Sequence, residues 1–345
     1  MVAAYSNKDN EHEKQITKLI EEYDIGGIMF LQGTPYKQAK LTNFFQSRSK
    51  IPLIIAIDAE WGVSMRLDSS LRFPWQMTLG AIENNSLIYE MGAEIAKQCK
   101  LLGIHINFAP VVDINSNPDN PIINNRSFGE NPQAVAKKSI AYMQGMQDNN
   151  ILACAKHFPG HGDTDSDSHK TLPRLNHSLD RLNKIDLVPF KKLINNGLGS
   201  VMVAHLNIPV LDSTKNISSS LSYNVVTKLL KNDLNFKGLA ITDALNMKGV
   251  TNYYKPGVVD VKALLAGNDI LLFSEDVPKA IDEIKKAIIS NQISEKEIDR
   301  RCRKVLLAKK WLKLDKYKPV DLNLIKQNKI SLSSTVLNKK LIENS

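Results

Sequence analysis

Short apolar runs, each too short for a helix, alternate along the chain with segments of helical periodicity. The runs are Met1–Ala4, Gly27–Leu31, Leu53–Asp58, His105–Ala109, Leu152–His157, Val201–His205, Leu239–Asp243 and Ile270–Phe273. They are rich in Ile, Val and Leu without alternation, as strands buried on both faces must be. Helical patterns occupy 11–23, 86–102, 132–148, 182–196, 222–232 and 258–266. Strand followed by helix implies parallel pairing with helical crossovers, and eight such units predict an α/β fold, a (β/α)8 barrel of the TIM type, with irregularity expected near the first strand. A doubly wound open sheet is the alternative, but no GxGxxG turn follows the first strand. No sequence repeat relates the units.

Beyond Phe273 the periodicity continues as helix over 278–290 and 295–312. Residues 316–321 read as a linker, and 332–342 as an amphipathic stretch in a Lys/Asn-rich tail. The division is therefore a catalytic barrel over residues 1–312 and a helical tail or linker over 313–345, which is expected either to dock on the barrel or to lead into a further domain. Met1–Ala4 already reads as a strand with nothing before it, so the natural chain is expected to start further upstream. That leaves two expectations for location: cytoplasmic as the chain stands, periplasmic or secreted if an upstream signal was removed.

Composition excludes several classes. Hydrophobic residues make up 43% and charged residues 23% of 345, which is ordinary for a chain with a sizeable core. The net charge of +9 collects in pairs such as Lys285-Lys286, Arg300-Arg301 and Lys309-Lys310, a solvated helix face. No aromatic-interleaved basic stripe accompanies it, so no nucleic-acid partner is expected. Three distant cysteines, Cys99, Cys154 and Cys302, exclude a disulfide framework and a CxxC site. No apolar run approaches the ~20 residues that cross a bilayer.

In a barrel of this kind chemistry sits where strands end. Asp58 and Glu60 follow the third strand. Asp113 and then Asn125-Arg126-Ser127-Phe128-Gly129 follow the fourth. Lys156-His157 ends the fifth, His205-Leu206-Asn207 the sixth and Thr242-Asp243 the seventh. Five polar strand ends predict a polar site at one rim. The densest segment, Lys156 to His169, holds three histidines, three aspartates and two glycines. Such a loop could bind a divalent metal through His157, His161 and His169, or could be a mobile loop carrying an acid/base. A polar turn capping a helix explains its Asp and Ser residues but not Lys156-His157.

KHFPGHGDTDSDSH, residues 156–169, followed by Thr171-Leu172-Pro173, resembles the signature of glycoside hydrolase family 3, in its β-N-acetylhexosaminidase branch. Asp58-Ala59-Glu60-Trp61-Gly62-Val63-Ser64-Met65-Arg66-Leu67 resembles the family's substrate-binding segment, departing from its D-x-E-G-G-R form at Trp61 and Val63. Asn107–Ile114 and Asn125–Gly129 match two further segments, and Ile241-Thr242-Asp243-Ala244-Leu245-Asn246-Met247 looks like the nucleophile segment. The motifs follow the family's order over about residues 1 to 312.

This resemblance implies Asp243 as nucleophile and Asp167 with His169 as an acid/base dyad. Lys156, His157, Arg66 and Arg126 would bind sugar hydroxyls and an N-acetyl group, Asp58 would grip the non-reducing end, and Asp113 and His205 would complete the pocket. No cofactor and no metal are implied. The activity implied is retaining removal of terminal β-N-acetylglucosamine from cell-wall or chitin-type oligosaccharides. Retaining hydrolysis needs a carboxylate on one face of the anomeric carbon and a proton donor at the leaving oxygen. A strand-end Asp243 is rigidly held, and Asp167 beside His169 favours the imidazolium that can donate.

Blander readings stand beside these: Asp243 as a helix N-cap, Arg126 paired with Glu130, His205 as a core histidine, His161 as a hydrogen-bonding residue at the loop base. Competing activities are a family 3 β-glucosidase, a phosphorylase, a metal-dependent hydrolase sensitive to chelator, and a sugar-binding sensor, which should have lost Asp243 or His169.

Overall fold

The computed structural model describes residues 1–167, 170–327 and 332–345. The elements run β1 (Val2–Tyr5), α1 (Asn10–Tyr23), β2 (Gly27–Gln32), α2 (Pro35–Arg48), β3 (Ile54–Ile57), α3 (Gln76–Leu79), α4 (Asn85–Leu101), β4 (Ile106–Asn107), α5 (Pro132–Gln147), β5 (Leu152–Phe158), α6 (Leu179–Lys184) and α7 (Leu187–Asn195). Then come β6 (Ser200–Val203), a π-helix (Asn224–Asp233), β7 (Leu239–Thr242), α8 (Lys248–Thr251), α9 (Val258–Ala266), α10 (Val277–Ile289), α11 (Glu295–Trp311), α12 (Leu322–Gln327) and α13 (Leu332–Glu343).

The fold is α/β, with seven strands ordered β1 to β7 as in the chain and parallel registers from Val2↔Ile28 to Val203↔Thr242. The first strand is irregular, as expected, with a register shift between Ala4 and Tyr5. The unbroken apolar runs have their cause in burial: every residue of β3, β5, β6 and β7 is buried. The expected eighth strand, Ile270–Phe273, is instead a single bridge, Ile270 to Ile241. Two residues on, the Leu272 N–H turns to the Thr242 hydroxyl at 3.0 Å, and Phe273 has φ +55°, which ends extension.

The chain forms two compact units. The first comprises Met1–Pro110, Lys138–Cys154 and Lys309–Ser345, the second Val111–Lys137 and Ala155–Ala308. In the first, the backbones of α4 and α5 approach closely at two glycines. A methyl on Gly92 would lie 2.4 Å from the Tyr142 carbonyl, and one on Gly145 would lie 2.2 Å from the Tyr89 carbonyl. The tail returns to the same unit: Asn43 on α2 bonds Val320 N and O at 2.7 and 2.8 Å, and Ser334 on α13 donates to Glu94 on α4. In the second unit the helical pattern at 182–196 resolves into two helices. They part at Ile185 and Asp186, where Pro189 in the opening turn of α7 has no N–H to continue α6. No helix of the described residues is long and apolar enough to cross a membrane.

The glycine contact gives a direct test. Gly145→Ala gains helix propensity of about 1 kcal/mol but drives a methyl into backbone that has nowhere to go. Overpacking of this kind costs about 1–3 kcal/mol, so the net loss is up to about 2 kcal/mol and thermal unfolding should show a Tm lowered by about 1–3 °C. An unchanged or raised Tm would mean that the two helices separate freely.

Candidate active site

In the first unit the site segment follows β3. Asp58 is 7% exposed and receives a charge-assisted bond from the Arg66 guanidinium. The Arg66 Nε is buried with no hydrogen-bond partner among the described residues. Asn107, at the end of β4, holds the next residue in place: its Oδ1 accepts Ala59 N–H at 2.9 Å and its Nδ2 donates to Ala59 O at 3.2 Å. The Tyr142 hydroxyl donates to the same carbonyl at 2.9 Å. Beyond Asn107 the backbone still bonds its neighbours, Phe108 N–H to Ile57 O and Cys154 N–H to Ala109 O, each at 2.8 Å.

In the second unit the organiser is Asp113, 1% exposed. Its Oδ1 accepts the His161 backbone N–H at 2.7 Å; its Oδ2 accepts His157 Nδ1–H at 2.7 Å; the His157 backbone N–H lies 3.2 Å from both oxygens. Burial alone would raise this carboxyl, but the imidazoles of His157 and His161 and the backbone N–H groups outweigh it and hold the pKa below the ordinary value. The His157 Nε2 faces Arg126 NH2 at 3.4 Å, and Arg126 NH1 donates to Ile122 O at 3.2 Å. Lys156, 2% exposed, lies within β5, and its carbonyl accepts Val112 N–H at 2.8 Å.

The histidine loop lies against this base. A Cβ on Gly162 would stand 1.7 Å from Ile114 O, so only glycine allows the approach. The His161 ring is buried, with Nδ1 2.8 Å from the Thr164 hydroxyl, which is the hydrogen-bonding role read for it from sequence. Burial, then the neighbouring His157, push it down to about 4, against the opposing pull of Asp113 and Asp243.

Sequence reasoning passes over Asn120, which is fully buried and fastens two site segments. Its Oδ1 accepts Ile122 and Ile123 N–H, ahead of Arg126, while its Nδ2 donates to His161 O at 2.8 Å and to Thr164 Oγ1 at 3.2 Å. The only signal is an Asn in a Pro/Asn/Asp turn sequence, which ordinarily marks a surface loop.

Asp243 directly follows β7. Its N–H donates to Val203 O at 2.9 Å, and its Oδ1 accepts Ala244 N–H at 2.8 Å, the short-range bond a cap would make. His205 is buried, with Nε2 donating to Ala244 O at 3.0 Å and Nδ1 at 2.7 Å from the Ser220 hydroxyl. It thus ties the residue after Asp243 to the loop after β6. Asp167 is partly buried, its carbonyl accepting the N–H groups of Lys170 and Thr171 at 3.0 Å. His169 lies outside the described residues. Among the described residues no group of three or more His, Cys, Asp or Glu side chains could hold a metal ion.

Asp113→Asn replaces an acceptor-only group with an amide whose NH2 must face N–H donors. The expected loss in kcat/KM is about 10–100-fold, the worth of one or two charge-assisted hydrogen bonds. Because the folded pKa is depressed, the carboxylate's stabilisation is present above the unfolded value of about 3.9 and is lost as pH falls through the folded value. The Tm of Asp113→Asn should therefore lie below wild type at neutral pH, with the gap narrowing below about pH 4. A gap independent of pH would refute the ionised state of Asp113.

The glycosyl hydrolase family 3 N-terminal domain model matches residues 2–308. A β-hexosaminidase A of Pseudoalteromonas piscicida is 38% identical over 281 residues, 75% of this chain and 47% of that protein, so the chain spans about half of that relative. The β-hexosaminidase LpqI of Mycobacterium tuberculosis is 30% identical over 306 residues, 84% of this chain and 77% of that protein. The family 3 β-N-acetylglucosaminidase structure from Paenibacillus sp. superposes with TM-score 0.92 at 34% identity, covering 100% of this chain and 67% of that one. A β-glucoside phosphorylase shares the fold, with TM-score 0.91 at 23% identity. By the extent of the family match and the identity to its members, this chain belongs to glycosyl hydrolase family 3.

Proposed function

We propose that the protein is a retaining exo-β-N-acetylhexosaminidase, with Asp243 as nucleophile and Asp167 with His169 as acid/base. The observation that carries this is a carboxylate directly after a buried strand, its backbone N–H bonded to Val203 O and its Oδ1 accepting Ala244 N–H. Rigid placement is what nucleophilic attack at an anomeric carbon requires. The relatives named β-hexosaminidase and β-N-acetylglucosaminidase support the same choice of sugar. In this reading the Asp58–Arg66 pair, Lys156, Arg126 and His157 supply donors and acceptors for hydroxyl and acetamido groups, and Asp113 holds the histidine. His205 supports the nucleophile segment. The natural substrate would be a β-GlcNAc-terminated saccharide of the cell-wall or chitin type. We also propose that residues 1–312 complete an eight-unit barrel, with the Ile270 bridge standing in for the eighth strand.

Attack by Asp243 would form a glycosyl ester while a protonated His169 gives its proton to the leaving oxygen. The deprotonated imidazole would then take a proton from water as that water cleaves the ester, so retention follows from two displacements. Aryl β-GlcNAc should be hydrolysed with kcat/KM at least about tenfold above aryl β-glucoside, since a site built for an acetamido group leaves polar atoms unpaired with glucose. Rates should not change with added phosphate or chelator. In His169→Ala, poor leaving groups should slow most, and an activated aryl glycoside should give a burst followed by a slow phase. Equal rates on the two sugars, or a His169→Ala variant with no dependence on leaving group, would remove this reading.

A further inference from the structure

Ile217-Ser218-Ser219-Ser220-Leu221-Ser222 has the composition of a solvated loop. In the second unit its four serines are instead all buried, none more than 2% exposed, although serine is mostly a surface residue. Hydrogen bonds pin the segment across the end of β6. The Ser220 N–H donates to Ala204 O at 3.1 Å and the Ser219 N–H to Leu206 O at 2.7 Å. The fully buried Asn268 donates its Nδ2 to Ser220 O and to Ala263 O, each at 2.7 Å. The hydroxyls then divide. Ser219 gives its own to Leu206 O at 2.8 Å, and Ser222 gives its own to the Asp212 carboxylate. Ser220 and Ser218 turn to His205. The Ser220 Oγ lies 2.7 Å from the ring Nδ1; the Ser218 Oγ lies 3.4 Å from Nδ1 and 2.9 Å from the Ser220 Oγ.

The far side of the ring sets the direction of this chain. His205 Nε2 stands 3.0 Å from Ala244 O, and a carbonyl oxygen only accepts, so Nε2 carries a proton. The ring is fully buried, which favours its neutral form. Nδ1 is then an acceptor, Ser220 donates to it, and Ser218 donates to Ser220. Ala244 is thereby held by its C=O, while its N–H donates to Asp243 Oδ1 at 2.8 Å. We propose that Ser220, with Ser218 behind it, is a positioning residue for Asp243. The two hydroxyls lock His205 in the Nε2–H tautomer, His205 fixes the Ala244 backbone, and Ala244 orients the carboxylate. Without the Ser220 hydroxyl a buried acceptor loses its near donor. The ring can then move its proton to Nδ1, which turns a lone pair towards Ala244 O. The kinetic consequence rests on the reading of Asp243 as nucleophile; the tautomer does not.

The test pairs Ser220→Ala with Ser219→Ala. Both remove one buried hydroxyl from the same turn, but only the first removes a partner of His205. The rate of aryl release in the first turnover of an activated aryl β-GlcNAc should fall about tenfold in Ser220→Ala, the worth of one hydrogen bond in placing the nucleophile. Inhibition by free N-acetylglucosamine should stay within about twofold of wild type, because the sugar's own contacts are kept. Ser219→Ala should lower Tm to a similar extent yet leave that rate within about threefold of wild type. Ser220→Thr keeps the hydroxyl and should recover the rate to within about threefold. Heteronuclear NMR of the imidazole nitrogens reads the chain without any substrate: in wild type at neutral pH, His205 should show a protonated Nε2 and an unprotonated Nδ1. An unchanged rate in Ser220→Ala, an equal loss in both alanine variants, or a folded Ser220→Thr no faster than Ser220→Ala overturns the proposal. So does a wild-type His205 found as imidazolium or as the Nδ1–H tautomer, whether or not any variant folds. A wild type that releases no aryl group, with His205 in the Nε2–H tautomer, would instead remove the hydrolase reading and leave the tautomer lock standing.

Discussion

The second unit is organised around a buried carboxylate, Asp113, that spends its lone pairs on N–H groups of the polypeptide itself. It accepts from the His157 ring and from the backbones of His157 and His161. Each of those groups would otherwise be a buried donor without a partner. The charge is stable there because two imidazoles and several N–H dipoles oppose the cost of burial. In satisfying them, Asp113 fixes the last residues of β5 and the first turn of the histidine loop, and through the His157 ring it sets the face that Arg126 meets.

The remaining site segments are placed by the same device on a smaller scale. Asn107 brackets Ala59 and so orients Asp58; Asn120 bridges the Arg126 segment to the histidine loop; His205 ties Ala244 to the loop after β6. In each case a buried side chain meets backbone groups of a segment outside the regular elements. This lets a regular scaffold end in irregular, functional backbone without leaving polar groups unsatisfied. Gly162 adds the steric counterpart, admitting the loop to a distance that any side chain would forbid.

Most of the scaffold was legible in the sequence because burial on both faces leaves a plain mark. Seven of the eight apolar runs are strands whose boundaries shift by no more than two residues. The eighth failed because composition cannot show a ladder bond diverted to the Thr242 hydroxyl. Helix α2 was missed because it is only weakly amphipathic, although Thr34 followed by Pro35 is a cap-and-start signal. The break at Asp186 was likewise announced by Pro189 but overridden by the long apolar period around it. Among the candidate site residues, those at strand ends are marked by their position in the sequence. Asn107 and Asn120 could not be assigned a role, since their part lies in which backbone groups they meet, and that depends on the fold.

The account rests on a covalent step at one carboxylate, and trapping that ester is the most direct measurement. Incubation with a fluorinated N-acetylglucosaminyl fluoride, which forms the glycosyl-enzyme quickly and hydrolyses it slowly, followed by intact mass and peptide mapping, should add one sugar per chain. The adduct should lie on the peptide containing Asp243, and Asp243→Asn should take up none. A stoichiometric adduct on any other carboxylate, or full turnover of the reagent to an inverted product with no adduct, would contradict it.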